Sequence, residues 1–474
     1  MSMAPWSVEL ATAVLLVLVL LTDLLAPGRK GLVWACFLAG SLVILGIAVA
    51  ARGEVLLLGG SYASDGISWV AKIVIVIGTG LAGVMSMDSL PIREKHQGAY
   101  AALLLAAALG MMVLVSSREL VTMYVGLETS AVSMYGLAAL AKKDLLSLEA
   151  GIKYLVIGAL SSGVLLYGLA LVYAAAGSTS LDAIRAALGH SPSPLSAAGI
   201  ILVLLGVGFK ITMVPMHVWT PDVYQGAPTP VSAFISVVSK SAGFVFAVRL
   251  FTFAFADLRG AWEPFVMAGA VLTMTVGNLA AIPQPSAKRL LAYSSISQAG
   301  YLLVGFLGTS SSGTSAVLFY LFVYTLANVA AFAAVIAFST ATGSDRLDDY
   351  AGLARRSPLL ALVFTFALLS LAGIPPLGGF VGKLYLFSAA MERGYLWLVV
   401  AAALNSVVSL YYYLLILKRM YITQALPDAG PVRVAFPVKA VLLLTTVGTF
   451  LLGILPGPLM QVFAEVSSRV FPGP

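Results

Sequence analysis

One cysteine, Cys36, and three histidines, His96, His190 and His217, are all the thiol and imidazole ligands in 474 residues. A lone cysteine excludes a disulfide and a cysteine-held iron–sulfur cluster within the chain. His96 and His190 fall in polar stretches expected as loops, so no histidine pair is placed to hold a haem. Neither a Walker A sequence nor a dinucleotide fingerprint opens a helix after a strand. No cofactor or metal is therefore expected in this chain; if it serves a redox enzyme, the redox centres are elsewhere. Charge is scarce as well. Charged residues make up 10% and hydrophobic ones 60%, whereas a soluble domain carries about 25% charged residues. So few charges cannot cover a soluble surface, and a net charge of +7 on such a chain is a loop-orientation signal rather than a nucleic-acid patch.

What the chain has instead is apolar runs of about 20 residues, each long enough to cross ~30 Å of hydrocarbon as a helix. Spans are expected at 8–26, 32–51, 67–87, 98–116, 119–140, 150–176, 196–221, 229–251, 261–282, 286–308, 315–341, 357–391, 396–417 and 437–456. That is an all-α polytopic membrane protein of about 14 helices. The first run follows no basic residue and is too long for a signal peptide. Two spans read as discontinuous helices: 206–221, with Gly206, Gly208 and Pro215, and 373–379, with Gly373, Pro375, Pro376, Gly378 and Gly379. Broken backbone at membrane depth is tolerated only where protein or a water-filled cavity satisfies it, and in transporters it marks ion sites. A plain proline kink is the structural alternative.

Loop charges give the orientation. Odd-numbered loops hold fourteen basic residues (Arg29, Lys30, Arg93, Lys95, Lys142, Lys143, Lys288, Arg289, Arg346, Arg355, Arg356, Lys418, Arg419, Arg433), and even-numbered loops hold five (Arg52, Arg118, Arg185, Arg259, Arg393). Positive-inside bias puts the odd loops in the cytoplasm, so both termini face the opposite, periplasmic side, consistent with an even number of spans. A weak repeat is also visible. Ser236-Val237-Val238-Ser239 recurs as Ser406-Val407-Val408-Ser409 at an offset of 170, near a broken segment each time. This predicts two five-helix units, inverted because five is odd. The divisions expected are N-terminal helices in 1–97, a first repeat in 98–255, a second in 256–422, and a last helix with a short tail in 423–474.

A charge inside a span costs several kcal/mol and is a functional candidate by default. Glu128 lies mid-span, Lys153 near the start of the next span, Lys210 beside the first break, Lys240 centrally in its helix and Lys383 just after the second break. Lys72 and Arg249 lie nearer span ends and read as interfacial anchors. A structural salt bridge needs one acid and one base; one deep acid facing four lysines leaves an excess. A carboxylate ~4 Å from a lysine, at an effective dielectric of ~20, favours the charged form by about 4 kcal/mol. Moving Glu128 relative to Lys210 would then switch whether the lysine keeps its proton. His217 stands two helical turns beyond Lys210 if that helix is continuous, placed either for proton relay or as a bonded structural histidine. Thr212, Ser232, Ser236, Ser239, Thr325 and Asn405 either hold water between the lysines or bond their own backbone.

At this point the residues become recognisable. Met213–Val231 (MVPMHVWTPDVYQGAPTPV), Lys288–Ile296 (KRLLAYSSI) and Leu371–Phe380 (LAGIPPLGGF) strongly resemble the signature of subunit N of respiratory complex I, as do Lys153–Gly168 and Asn405–Tyr413. The likeness runs from about residue 90 to 425. The wider family includes subunits L and M and the antiporter subunits of multi-subunit sodium/proton exchangers. The resemblance implies fourteen helices with two inverted repeats, and a proton path along a central polar axis. Carried over, Glu128 matches the family glutamate, Lys210 its partner lysine, Lys153 and Lys240 the bridging lysines, and Lys383 the lysine of the second broken helix.

It further implies M-like, K-like, J-like and A-like membrane subunits as partners in a bacterial inner membrane. Flavin, iron–sulfur clusters and quinone belong to partner subunits. One position departs from the pattern. Many members have histidine where this chain has Gln298, a relay position 170 residues after Glu128 that here cannot titrate. The chain is expected to lack the long C-terminal extension of subunit L, and its Asp222–Gly226 run favours N over M. A cation/proton antiporter subunit is the alternative function.

Overall fold

The computed structural model describes residues 6–26, 28–87, 89, 97–189, 193–308, 311–425 and 430–470. His96, His190, Arg93 and Lys95 lie outside them. The N-terminal helices are α1 (Ser7–Leu25), α2 (Lys30–Ala50) and α3 (Gly66–Ser86). A hairpin not foreseen in the sequence, β1 (Val55–Leu57) with β2 (Tyr62–Ser64), precedes α3. Then come α4 (Gln97–Ser116), α5 (Leu120–Ala138), α6 (Leu145–Ala176), the short α7 (Leu181–Leu188), α8 (Pro194–Ile211), α9 (Thr220–Gly226) and α10 (Thr229–Ala254). The second set is α11 (Arg259–Ala281), α12 (Ala287–Phe306), α13 (Ser311–Thr342), α14 (Pro358–Ala372), α15 (Gly378–Glu392) and α16 (Leu396–Tyr421). The chain closes with α17 (Phe436–Ile454) and α18 (Gly457–Val470). Among the described residues eleven helices are long and apolar enough to cross a membrane. The more polar α5 and α12 and the broken pair α14–α15 add three, giving fourteen.

The two sets repeat element by element. α6 and α13 are both 32 residues long, and α10 and α16 both 26. Each repeat has one interrupted helix, α8–α9 or α14–α15. An isolated bridge joins Glu119 to Ser180 in the first and Ser286 to Arg346 in the second. Each bridge begins at a helix N-cap: Glu119 accepts from Thr122 N at 2.8 Å, and Ser286 from Arg289 N at 3.3 Å. The first helix pair of each repeat is in backbone contact. A Cβ on Gly110 would lie 2.6 Å from Ser130 N, and one on Gly277 2.6 Å from Ser297 N. Small residues are what allow helices in lipid to approach so closely. An odd number of crossings per unit leaves the two repeats oppositely oriented.

The breaks are tighter than the sequence suggests. The first helix runs on through Gly206 and Gly208 to Ile211 and stops at Thr212, whose φ is +62°. Left-handed backbone is unfavourable for a β-branched residue, so Thr212 is a strained stop. The second stops at Gly373, φ +86°, where glycine carries no such cost. Beyond the last span, residues expected as a short tail form α18. Its Val466 packs where a Cβ on Gly66 would sit, and its Glu465 and Arg469 pair with Arg52 and Glu54. The outer faces of α1, α2, α6, α16 and α17 keep large apolar side chains exposed, as a lipid- or partner-facing surface requires.

Candidate functional site

The centre of the first repeat has charges without ion pairs. Lys210, in the last turn of α8, is buried, and its Nζ has no hydrogen-bond partner among the described residues. Glu128 of α5 forms no ion pair with it among the described residues, and its carboxylate instead accepts from Ser162 of α6. Lys240 of α10 is buried and donates to the Ser295 carbonyl and, at 2.5 Å, to Ser295 Oγ on α12. Ser295 shares a 2.8 Å hydrogen bond with Tyr324 Oη, which accepts from Asn328, and Asn328 also donates to Ser236 Oγ at 2.7 Å. A π turn, Ile235–Ser239, immediately precedes Lys240. It adds one residue to the helical register, about 100° of rotation, and so sets the direction in which Lys240 projects.

At Ser295 the network has already crossed into the second repeat, and it continues from the preceding residue of α12. Ser294 and Tyr413 hydroxyls are 2.5 Å apart, and Tyr413 lies 3.5 Å from Gln298 Nε2. Lys383 of α15 is buried, donates at 2.9 Å to both Ala372 O and Ser406 Oγ, and stands 4.3 Å over the Tyr301 ring. Asn278 of α11 donates to the Asn405 carbonyl at 2.9 Å and accepts from Tyr412 at 3.2 Å. Among the described residues Lys210, Lys240 and Lys383 form no ion pair.

Four expectations from the sequence need correcting or refining. Lys153 is not a buried excess charge: it is 39% exposed and paired with Glu149 at 2.7 Å and Asp222 at 2.6 Å, and Asp222 also takes Arg289 at 2.7 Å. Lys72 and Arg249 are not interfacial anchors. Lys72 is buried against Glu9 at 2.9 Å and Tyr62 Oη at 2.8 Å, and Arg249 holds Asp65 at 2.7 and 2.9 Å and Val115 O at 2.6 Å. Distance from a span end gives depth but not which face turns inward. His217 is not two helical turns past Lys210, because the helix ends at Ile211; it lies in the 212–219 turn. Of the small polar side chains, Ser232, Ser236, Thr325 and Asn405 do bond backbone carbonyls, while Thr212 Oγ1 is buried without a partner among the described residues.

The tyrosines Tyr301, Tyr320, Tyr324 and Tyr413 were missed in the sequence. They stand among apolar neighbours, and only packing shows their hydroxyls converging. Lys288 was counted as a loop charge, yet it donates to Ala227 O at 2.8 Å at the edge of a cleft lined by Asp144, Gln225, Thr229, Ser344 and Asp345.

Interrupted helices facing buried, unpaired lysines are the build of ion-translocating membrane proteins. Comparison with known proteins narrows this. The model of the family described as NADH:quinone oxidoreductase/Mrp antiporter, TM, matches residues 117–409. A relative from Moorella thermoacetica, named NADH-quinone oxidoreductase subunit N, is 46% identical over 96% of this chain and 96% of its own. Another of the same name from Heliobacterium modesticaldum is 46% identical over 85% of this chain and 83% of its own. A chain of respiratory complex I from Thermus thermophilus superposes with a TM-score of 0.83 at 35% identity, covering 96% of this chain and 99% of that one. A chain of the Mrp complex from Dietzia superposes at 0.90 with 23% identity, over 99% and 98%, and shows the shared fold. The chain belongs to the NADH:quinone oxidoreductase/Mrp antiporter family, among its NADH-quinone oxidoreductase subunit N members.

Proposed function

We propose that this chain is a proton-translocating subunit of the membrane arm of a complex I, coupling quinone reduction in partner subunits to proton transfer across the membrane. The observation that carries the reading is the set of three buried lysines, Lys210, Lys240 and Lys383, none in an ion pair, along polar side chains that bridge the two repeats. A merely structural lysine at this depth would be paired, as Lys72 is with Glu9. Glu128 sets the proton affinity of Lys210 by moving between Ser162 and the lysine. Lys240 passes protons through Ser295, and Lys383 takes or releases them beside the second break. His217 serves as a relay at the first break. Lys153, held by Glu149 and Asp222, tunes the odd-loop end of the path. The repeats divide near residues 98–255 and 256–422. M-like, K-like, J-like and A-like subunits adjoin the chain in a bacterial inner membrane. Both termini are periplasmic, and flavin, iron–sulfur clusters and quinone are held by the partners.

The test uses membrane vesicles bearing the assembled complex with Lys210→Ala. Proton uptake and electron transfer to quinone are followed together. Loss of pumping or of coupled turnover is expected; an assembled complex that retains both makes Lys210 structural and ends this reading. Sodium-dependent proton exchange without electron transfer would favour the antiporter alternative.

A further inference from the structure

Gln298 is fully buried on α12, 170 residues after Glu128. Its Nε2 donates to Leu371 O at 2.8 Å, and its Oε1 accepts from Tyr320 Oη at 2.5 Å. A backbone carbonyl can only accept, so the nitrogen must face Leu371, and the orientation of the amide is fixed by chemistry. Tyr320 must then donate to Oε1. Leu371 and Ala372 are the last two residues of α14, whose terminal carbonyls have no partner within the helix. Leu371 O is taken by Gln298, and its neighbour Ala372 O by Lys383 Nζ at 2.9 Å and Ser406 Oγ at 3.1 Å. Of these two adjacent orphan carbonyls, Leu371 O is capped by Gln298, which does not titrate, and Ala372 O is shared between Lys383, which does, and the Ser406 hydroxyl.

We propose that Gln298 is a positioning residue for Lys383, a non-titrating latch that holds the end of α14 so that Ala372 O stays aimed at the lysine. The inference rests on the proton-path reading of Lys383. A lysine that gives up its proton no longer holds a carbonyl firmly, since a neutral amine is a weaker donor. On deprotonation of Lys383 the Ala372 carbonyl keeps only the 3.1 Å bond from Ser406 Oγ, and with no second carbonyl anchored the helix end would drift and the ammonium would lose a ready acceptor on its return. Gln298 anchors the adjacent carbonyl in both states. An amide with its donor and acceptor on different atoms also passes no proton by hydroxyl-style relay. The Tyr413–Ser294 hydroxyls are thereby separated from Tyr320. The titratable groups around this pair are the tyrosines Tyr301, Tyr320 and Tyr413. α14 has none, and α17 carries only Lys439, in its first turn.

The experiment compares Gln298→Leu, Gln298→His, Tyr320→Phe and Lys383→Ala in the intact complex reconstituted in proteoliposomes, reading the pH profile of coupled quinone reduction and proton uptake. Gln298→Leu removes the latch and is expected to lower turnover at least threefold and to move the pH profile by half a unit or more. Gln298→His, which keeps an N–H for Leu371 O, is expected to restore turnover. Tyr320→Phe removes the donor to Gln298 Oε1 and is expected to move the profile in the same direction as Gln298→Leu, by less, because the bond to Leu371 O remains. If Gln298→Leu lowers turnover with the pH profile unmoved, or leaves both unchanged, Gln298 is structural and the proposal is overturned. If Lys383→Ala itself pumps normally, the proton-path reading of Lys383 fails instead, whatever Gln298 does.

Discussion

The two repeats share a scaffold and place different chemistry on it. In the first, Glu128 and Lys210 form no ion pair, and Lys210 Nζ has no hydrogen-bond partner among the described residues. In the second, the position 170 residues after Glu128 is an amide, and Gln298, Tyr320 and Lys383 are all bonded. The backbone repeats because helix length, caps and small-residue contacts are needed twice to build two units. The acid does not repeat: the second repeat keeps a buried lysine, Lys383, outside any ion pair among the described residues, but has an amide where the first has Glu128. A second contrast runs between the repeats and the N-terminal helices. There the deep charges, Lys72 with Glu9 and Arg249 with Asp65, are paired and tie α1, α3 and α10 together.

These contrasts can be broken by making one region resemble the other. The largest effect is expected from Glu128→Gln, which gives the first repeat the amide of the second. Loss of a group that controls proton transfer costs ~100-fold or more, so coupled proton uptake in vesicles should fall to background while the complex still assembles. Uptake above half of wild type would mean that the first repeat does not depend on its acid. Next comes the paired cluster. Lys72→Leu strands the Glu9 carboxylate and should destabilise the chain by about 3–5 kcal/mol, whereas the Glu9→Leu/Lys72→Leu double variant should recover most of that. Thermal unfolding in detergent distinguishes the two, and equal losses would show that the pair is not the unit of stability.

Exchanging the two helix stops should give a smaller effect. Gly373→Thr puts a side chain at positive φ, against Lys383 Cδ at 2.9 Å, and is expected to cost about 1–3 kcal/mol. Thr212→Gly relieves the same strain and should stabilise by up to about 1 kcal/mol, less the entropy of the glycine. A Thr212→Gly variant that melts earlier would show that the threonine side chain contributes more than its strain costs.

The smallest effect concerns the caps. At Glu119, burial pushes the carboxyl up, but hydrogen bonds from Thr122 N, the Thr179 and Thr122 hydroxyls and Val121 N outweigh it and hold the group below the ordinary carboxylate value. A depressed carboxylate contributes stability that is present above its unfolded value, about 4.3, and is lost as pH falls through the folded value. Ser286 caps the matching helix without titrating. Hydrogen exchange at the start of α5 should therefore quicken on acidification to about pH 3, by the order of 1 kcal/mol of cap stability, while the start of α12 stays unchanged. Matched changes at both ends would mean that the whole bundle is loosening.

Much of the fold was legible because the bilayer imposes simple rules. Hydrophobic runs gave the spans, and Gly–Pro clusters the two interrupted helices. Hydropathy alone left α5 and α12 weak, because Glu128 and the Ser-rich stretch at Ser294–Ser297 dilute them. Of the candidate site, the depths of Lys210, Lys240 and Lys383 could be read from their place in the spans. Their partners could not. Partners depend on rotation about the helix axis, and the π turn before Lys240 and the stop at Thr212 both break the 3.6-residue count that would predict it.

The sequence by itself determined that this is a membrane protein of fourteen spans, which family motifs it carries, and that charge is buried beyond what pairing requires. Only the tertiary structure decided which buried charges are paired. It gave Lys72 and Arg249 carboxylates brought from elsewhere in the chain. It paired Lys153 with Asp222 from 69 residues away, left Lys210 unbonded, and set Gln298 and Lys383 on neighbouring carbonyls. The reason is physical. Transfer from water to lipid is a property of each segment and can be summed along the chain. A hydrogen bond or ion pair is a property of two segments, and it exists only once packing has fixed their distance and rotation to within a few tenths of an ångström.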